Sequence, residues 1–282
     1  MGLAIDTIVA QSPDLGTTGF VTLAPGGDST FTVRSYVDGS KAYLEDIWAA
    51  NSATKCQLSI KSPRLHDQVR GILLAFSNLI GSTANVKNPQ QIMPGYVRQR
   101  IYSTDTLTIQ ASGADNDVVV AVLSVYYENL GGISARLASW EQVEAAMVNE
   151  VGILVQPTAS ATAGLVGAGV ALNSVDNRLK ANTDYALLGV TTDLPVTAVL
   201  INGTDTGNLD VAVPGSWDQS ESGTWFVDKS KQYGGPRIPV INSNNQGSTL
   251  VKVVNDVASS APNVTLLFED WVAAAADAVT GV

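Results

Sequence analysis

The sequence predicts an all-β fold of two jelly-roll β-sandwiches in tandem, a double jelly roll, with a few short helices. Three observations lead to this prediction. Short runs rich in Val, Ile and Thr fill the chain, Gly, Pro, Asn and Asp clusters separate these runs, and one order of segments occurs twice. The alternation of strand and helix that indicates a parallel α/β sheet is not seen in the pattern.

The predicted strands are short and lie between turn-forming stretches such as APGGD and YGGP, which favour antiparallel connections. Ten runs have this character: TFTVRSYV (30–37), CQLSIK (56–61), YVRQRIY (96–102), TLTIQ (106–110), VVVAVLSVYY (118–127), TAVLIN (197–202), LDVAV (209–213), RIPVI (237–241), TLVKVV (249–254) and VTLLF (264–268).

Three segments have helical spacing. SWEQVEAAMVNEV (139–151) begins with Ser139 and Gln142 at the spacing of a capping box. DWVAAAADAVTG (270–281) has Asp270 as an N-cap and Gly281 as a stop. SKAYLEDIWAA (40–50) places its aromatic and aliphatic residues at helical intervals, which predicts a helical loop that packs on a sheet.

The repeated order of segments indicates duplication of one domain near 130 residues. Six pairs of apolar residues share almost the same offset: 142 residues for Tyr43–Tyr185, Leu58–Leu200, Val69–Val211, Val122–Val264 and Tyr126–Phe268, and 143 for Leu107–Leu250. Chance agreement between β-rich segments is the alternative, but the matching order favours duplication. Eight or so strands with long loops suit a jelly roll. The predicted units are a first jelly roll (1–134), a connecting helix (135–150) and a second jelly roll with a C-terminal helix (151–282).

Composition limits the classes of function. The 282 residues are 45% hydrophobic and 15% charged, with a net charge of −10 and a pI near 4.4. An acidic surface repels phosphate backbones, so direct nucleic-acid binding is not expected. The basic residues Arg98 and Arg100, beside Tyr96 and Tyr102, are interpreted as one side of a strand.

The single cysteine, Cys56, rules out an intrachain disulfide and is expected to be a buried, inert thiol. The first residues, MGLAIDTIVAQ, have neither the basic start nor the apolar core of a secretory signal, and Asp6 stands where a myristoylation site needs Ser or Thr. The chain is therefore expected to fold in a cytoplasm.

The segment 151–175 carries no charge and is long enough to cross a membrane. Pro157 and several polar residues interrupt it, however, so a strand, a loop and a second strand are predicted instead. This segment and the helix 270–281 are predicted to lie at or near contacts between subunits, and Val166→Asp is predicted to yield monomers.

The search for catalytic chemistry finds no supporting pattern. His66 is the only histidine, and its neighbour Asp67 comes without a nucleophile elbow, so a Ser–His–Asp triad is not predicted. One His and one Cys exclude a structural zinc site. GLVGAG (164–169) lacks the strand–helix context of a dinucleotide fingerprint and is interpreted as a loop.

Acidic residues are interpreted as turn-forming or solvated. ADND (114–117), GTDTGNLD (203–210) and WDQSE (217–221) lack EF-hand spacing, although calcium between subunits is a minor alternative. The carboxylates at 141, 144 and 150 are assigned to the polar face of the connecting helix. No catalytic, cofactor-binding or metal site is predicted, no cofactor is implied, and the protein is predicted not to be an enzyme.

Three stretches of the second half resemble a known family: RLKANTDYALLGV (178–190), TAVLINGTDTGNLDVAVPG (197–215) and TWFVD (224–228). They are similar to the second domain of double jelly-roll major capsid proteins of tailless icosahedral viruses, and most of all to members with an internal membrane. The resemblance implies a homotrimer that presents six jelly rolls and tiles a shell as pseudo-hexamers. It also implies neighbouring capsid trimers, other capsid proteins and an underlying lipid membrane as partners, and location in the virion of a virus such as a bacteriophage.

Two other functions share the predicted fold. A carbohydrate-binding or adhesin module would need exposed aromatic side chains on one sheet face, for which Trp217 and Trp225 are candidates, although Trp225 and Phe226 fit a core better. A double jelly-roll hydrolase would need convergent polar residues that the sequence does not display. The capsid function accounts for the duplication, the acidity and the lack of catalytic motifs together.

Overall fold

The computed structural model describes residues 2–12, 14–15, 19–52, 56–65, 71–76, 90–93, 98–113, 117–133, 135–215, 222–255 and 261–271. Strands dominate these residues, and cross-strand pairing is antiparallel throughout the described sheets. The fold is all-β, as predicted.

The first half of the chain builds two sheets. Sheet I has the strand order β3-β1-β10-β4-β7, with β8 also paired to β4, and sheet II has the order β2-β9-β5-β6. The strands are β1 (Ala4–Ser12), β2 (Phe20–Thr22), β3 (Ala24–Pro25), β4 (Ala42–Asn51), β5 (Cys56–Lys61), β6 (Ile72–Phe76), β7 (Gln90–Gln91), β8 (Gln99–Ile101), β9 (Thr108–Ser112) and β10 (Val119–Tyr127).

The second half builds two more. Sheet III has the order β11-β17-β14-β19-β12, and sheet IV has the order β13-β18-β15-β16. The strands are β11 (Leu137–Ala138), β12 (Met147–Val155), β13 (Val170–Ala171), β14 (Asp184–Thr192), β15 (Val196–Asn202), β16 (Val211–Pro214), β17 (Ile238–Asn242), β18 (Leu250–Asn255) and β19 (Val264–Trp271). Two α-helices are described, α1 (Trp140–Glu144) and α2 (Trp225–Tyr233).

The two halves have the same strand order. In sheet I the sequence β1-β10-β4-β8 corresponds to β12-β19-β14-β17 in sheet III, and in sheet II the sequence β2-β9-β5-β6 corresponds to β13-β18-β15-β16 in sheet IV. Eight strands in two sheets joined in this order form a jelly roll. The predicted double jelly roll is therefore confirmed, and sheets I and II are called the first sandwich and sheets III and IV the second.

The residues that fill each sandwich come from alternate positions on facing sheets. Leu58 and Ile60 of sheet II and Leu123 of sheet I are fully buried in the first, and Val253 of sheet IV and Leu266 of sheet III are fully buried in the second. Such alternation follows from the two-residue period of a strand.

The predicted constant offset is only partly correct. Tyr126 and Phe268 lie in equivalent strands, β10 and β19, as expected, but they do not occupy equivalent positions. A β-bulge shifts each register, between Ser124 and Val125 in one half and between Leu187 and Gly189 in the other. With the bulges matched, Phe268 corresponds to Val125. The offset is therefore 143 residues there, and it is 141 between β5 and β15 (Ile60 and Ile201).

The helix predictions were right only in part. Ser139 caps α1 and forms the predicted capping box with Gln142, but the helix ends at Glu144 and residues from Met147 onward form β12. The connecting helix 135–150 is therefore wrong in extent, because the side chains after Glu144 pair with β19. The helical loop predicted over 40–50 is strand β4. The helix predicted over 270–281 begins on the last two residues of β19, and 272–282 lie outside the described residues.

Several strand boundaries differ as well. Residues 30–37 contribute one isolated bridge, Thr32 to Thr106, instead of a strand. Three long strands were not predicted: β1, β12 and β14. The uncharged segment 151–175 completes β12, continues as a loop and forms β13, which confirms the strand–loop–strand prediction. No helix in the described part of the chain is long and apolar enough to cross a membrane.

Candidate functional site

The candidate site is the junction at which the two sandwiches meet. The outer face of sheet I lies against the outer face of sheet IV. A separate buried apolar cluster marks this contact and contains Val9, Ala50, Val120 and Val122 from sheet I and Ala198, Leu200, Ala212 and Val254 from sheet IV. The backbone N–H of Ala212 donates to the Thr7 hydroxyl at 3.0 Å across the same contact. The four sheets are therefore stacked in the order II, I, IV, III.

A bulge in β4 places a carboxylate at the junction. Asp46 pairs with Ser124 and Leu44 pairs with Val125, so Glu45 is the extra residue that faces no partner in β10. A bulge of this kind re-aims a side chain. The Glu45 carboxylate here accepts two hydrogen bonds from Arg237, from Nε at 3.1 Å and from Nη2 at 2.7 Å.

This ion pair is almost completely buried. The side chains of Arg237 and Glu45 are 3% and 5% exposed. The guanidinium also lies 3.9 Å from the centre of the Tyr126 ring and donates to the Gly234 carbonyl. Arg98 adds a second cation, with its Nε 3.5 Å from Glu45. The buried charges are thus compensated by planar, bidentate contacts, which arginine provides and lysine does not.

Helix α2 of the second sandwich supplies a second buried pair. The Lys229 ammonium lies 2.7 Å from Asp46 of β4 and 4.3 Å from the centre of the Trp225 ring. The Tyr233 hydroxyl donates to the Glu45 carbonyl at 2.7 Å, and burial raises the pKa of that hydroxyl. Helix α2 is therefore fixed to the first sandwich by its polar side chains.

Aromatic packing continues the same contact. Trp48 of β4 meets Trp225 edge to face, with ring centres 5.2 Å apart. Phe226 is buried, as the sequence predicted for this aromatic pair. Because Trp225 is engaged with Trp48 and Lys229, it is not presented as a free platform for a sugar ring.

A third ion pair lies at the other side of the junction. Lys252 of β18 contacts Asp28 of the first sandwich at 2.5 Å and Asp210 of its own sandwich at 3.1 Å. Burial alone would lower the pKa of Lys252, but the two carboxylates outweigh burial and the pKa is raised. The cation belongs to the outer face of sheet IV, and the exposed carboxylate Asp28 belongs to the first sandwich.

The junction has no space for a small-molecule substrate. A cavity of about 10 Å³ lies among the buried charges and is lined in part by Glu45, Asp46, Lys229 and Arg237. That volume is the size of a single water molecule. The geometry is suited to hold two protein surfaces in a fixed orientation.

The residues examined for chemistry at the sequence level are dispersed. His66, Asp67, Trp217, the stretch WDQSE and most of ADND lie outside the described residues. Cys56 is buried, and burial raises its pKa to about 12, which agrees with an inert thiol. Within the described ranges, no group of three or more His, Cys, Asp or Glu side chains could hold a metal ion.

The acidic and glycine-rich stretches have structural roles where they are described. Asp205 accepts hydrogen bonds from the backbone of Asn242 and the side chain of Asn245, at 3.0 and 2.9 Å, which confirms a turn-stabilising role. In GLVGAG, a side chain on Gly167 would collide with the Thr158 carbonyl, so the glycine permits two backbone segments to approach. Glu150 lies on β12 and not on a helix face, because the helix ends at Glu144.

Val166 does not lie on the outer surface, contrary to the sequence prediction. It bridges to Val254, packs against the apolar cluster of the junction and receives a hydrogen bond at its N–H from Gln11 of the first sandwich. A charge at this position would therefore disturb the contact between sandwiches within one chain, and Val166→Asp does not test contacts between subunits.

Comparisons with known proteins add little to the strand order. No family model matches the chain, and no curated protein matches it. A structural similarity to the STIV MCP, a viral major capsid protein, has a TM-score of 0.21 and 10% identity over all of both chains. A similarity to the PBSX exported protein XepA has a TM-score of 0.18 and 9% identity over 95% of this chain and 86% of that one. Both TM-scores are too low to establish a shared fold, and the fold assignment rests on strand order.

Proposed function

We propose that this chain is the structural major capsid protein of a virus and forms pseudo-hexameric trimers that tile an icosahedral shell. The observation that carries the proposal is the junction itself, because two sandwiches with the same strand order meet there through different faces. The first uses the outer face of sheet I, and the second uses the outer face of sheet IV, the counterpart of sheet II.

A contact between unlike faces is head-to-tail and can be repeated. Repetition of such a contact generates a ring if the rotation closes and a filament if it does not. Within one chain the outer faces of sheets II and III stay uncovered, and they are the counterparts of the two faces already joined. If the turn between sandwiches is one sixth of a circle, three chains close a ring of six sandwiches.

The faces left uncovered carry apolar side chains that a lone sandwich has no reason to expose. Phe20 and Leu73 on the outer face of sheet II are 45% and 46% exposed, and Met147 and Val148 on β12, an edge strand of sheet III, are 50% and 52% exposed. Clustered exposed apolar residues mark protein contacts. A neighbouring chain would cover them.

Other parts of the proposal rest on the sequence resemblance to the capsid family. They are location in the virion, contacts with neighbouring trimers and other capsid proteins, and a lipid membrane beneath the shell. The net charge of −10 disfavours direct contact with packaged nucleic acid. The chain is proposed to act without catalysis.

Sedimentation and electron microscopy test the proposal together. We expect a species of three times the chain mass of 29.4 kDa, and we expect images of it to show six similar lobes around a ring. A monodisperse monomer at high protein concentration, over a range of salt, would overturn the capsid assignment.

A further inference from the structure

The two uncovered faces carry opposite charges. Among the described residues of the outer face of sheet II, one side chain is charged, Lys61, and its neighbours are Gln57, Ser59, Thr108, Gln110 and Ser112. On the outer face of β12 and β19, Glu150 and Glu269 are directly paired across the strands. Like charges placed opposite each other destabilise a sheet.

The carboxylate pair has no compensating cation on its own face. Glu150 is exposed and Glu269 is nearly buried, and no ion pair is found for either in the described part of the chain. Burial, with a smaller contribution from Glu150, raises the pKa of Glu269. A partner that brings a positive charge would remove this penalty.

The junction inside the chain shows how such faces meet. There the outer face of sheet IV presents one lysine, Lys252, to the Asp28 carboxylate beside sheet I. Gln110 of sheet II corresponds to Lys252 in the matched registers of β9 and β18. The Lys61 ammonium lies 2.9 Å from the side-chain oxygen of Gln110, so the positive charge occupies nearly the same place on both faces.

The carboxylates also occupy related places. Asp28 precedes Ser29, whose hydroxyl accepts from the Val9 N–H and donates to the Thr7 carbonyl of β1. The strand that corresponds to β1 in the second sandwich is β12, which carries Glu150. The faces left open thus repeat the polarity of the joined ones.

We propose that Lys61 of one copy of this chain pairs with Glu150 and Glu269 of the next copy, and that this contact fixes how adjacent copies are aligned. The partner is a second copy because its own uncovered faces supply both charges. The inference rests on the proposed trimer and names the residues of its contact.

Charge reversal provides the test. Lys61→Glu and Glu150→Lys, singly and together, are compared with the wild type by sedimentation velocity over a range of protein concentrations. Each single variant places like charges together, so we expect the concentration needed for half-assembly to rise at least about tenfold. The double variant restores opposite charges and should return close to the wild-type value.

Two control variants separate this effect from net charge. Lys41→Glu and Glu144→Lys change exposed residues of the same types away from both faces and should leave assembly within about twofold of the wild type. Circular dichroism melting confirms that every variant is folded.

The outcomes distinguish the two proposals. If the wild type forms a trimer and the single variants behave as the controls do, or if the double variant is as weak as the singles, the pairing is wrong and the trimer stands. If the wild type is a monomer at all concentrations, the capsid proposal itself fails, and this inference fails with it.

Discussion

The two sandwiches share one strand order but differ in which outer sheet face is covered. In sheet IV the outward residues of β15 include Ala198 and Leu200, which the first sandwich buries. The corresponding positions in β5 of sheet II are Gln57 and Ser59. The same architecture therefore carries an apolar face where a partner sandwich is attached and a polar face where none is attached within the chain.

This difference is visible in the strand sequences. TAVLIN and VVVAVLSVYY are nearly continuous apolar runs because both faces of these strands are buried, whereas CQLSIK and TLTIQ alternate because one face is open. Continuity against alternation in equivalent strands thus indicates which faces of a duplicated fold are in contact.

The largest expected effect comes from breaking the junction. Arg237→Ala leaves the Glu45 carboxylate buried without its bidentate partner, and we expect a loss of about 3–5 kcal/mol in the free energy of unfolding. Denaturant unfolding monitored by tryptophan fluorescence measures it. If the sandwiches then unfold independently, the single transition separates into two.

Arg178→Ala is the matched control. Arg178 also pairs with an aspartate, Asp176, but its side chain is 65% exposed. Exposed pairs contribute about 0–1 kcal/mol. Equal losses in the two variants would mean that the buried junction is not what joins the sandwiches.

The second prediction compares equivalent strands directly. Leu200→Ala removes a fully buried side chain from the contact and should cost about 3 kcal/mol. Gln57→Ala changes an exposed residue on the corresponding strand and should stay within about 0.5 kcal/mol. Chemical denaturation of both variants gives the comparison. A large loss for Gln57→Ala in a monomeric sample would contradict the assignment of an uncovered face.

Much of the fold could be predicted from sequence because strand signals are local. The error over residues 40–50 has a physical cause. The bulge at Glu45 inserts one residue between Leu44 and Ile47, which both point into the core. Their spacing of three, instead of two or four, imitates the period of a helix.

The junction could not be predicted from spacing. Arg237 and Glu45 are 192 residues apart, and Lys229 and Asp46 are 183 apart, so neither pair leaves a local pattern. The available signal was the pair of acidic residues inside the apolar run YLEDIW, since charges are rarely buried without partners. The duplicated order placed the strands, but the faces in contact became visible only with the sheets assembled.

The smallest effect expected concerns one carboxylate in each sandwich. In the second, the Arg136 guanidinium bonds to Asp184 and holds its pKa below the ordinary value of 3.8. In the first, burial raises the pKa of Asp6 above that value, although Arg34 contacts it at 2.6 Å. The two groups should therefore affect stability with opposite dependence on pH.

Asp184→Asn removes a contribution of about 1–2 kcal/mol at neutral pH, because the charged hydrogen bonds to Arg136 are weakened. A lowered pKa means that this contribution is complete above pH 3.8 and is lost as the pH falls through the folded-state value. Melting temperatures of the variant and the wild type should thus converge in acid. For Asp6→Asn the sign reverses: the wild type is most stable relative to the variant below pH 3.8 and loses that advantage as the pH rises through the raised pKa. Parallel pH profiles for the two variants would show that the buried carboxylate beside the junction and the arginine-bound one are not in the different environments described above.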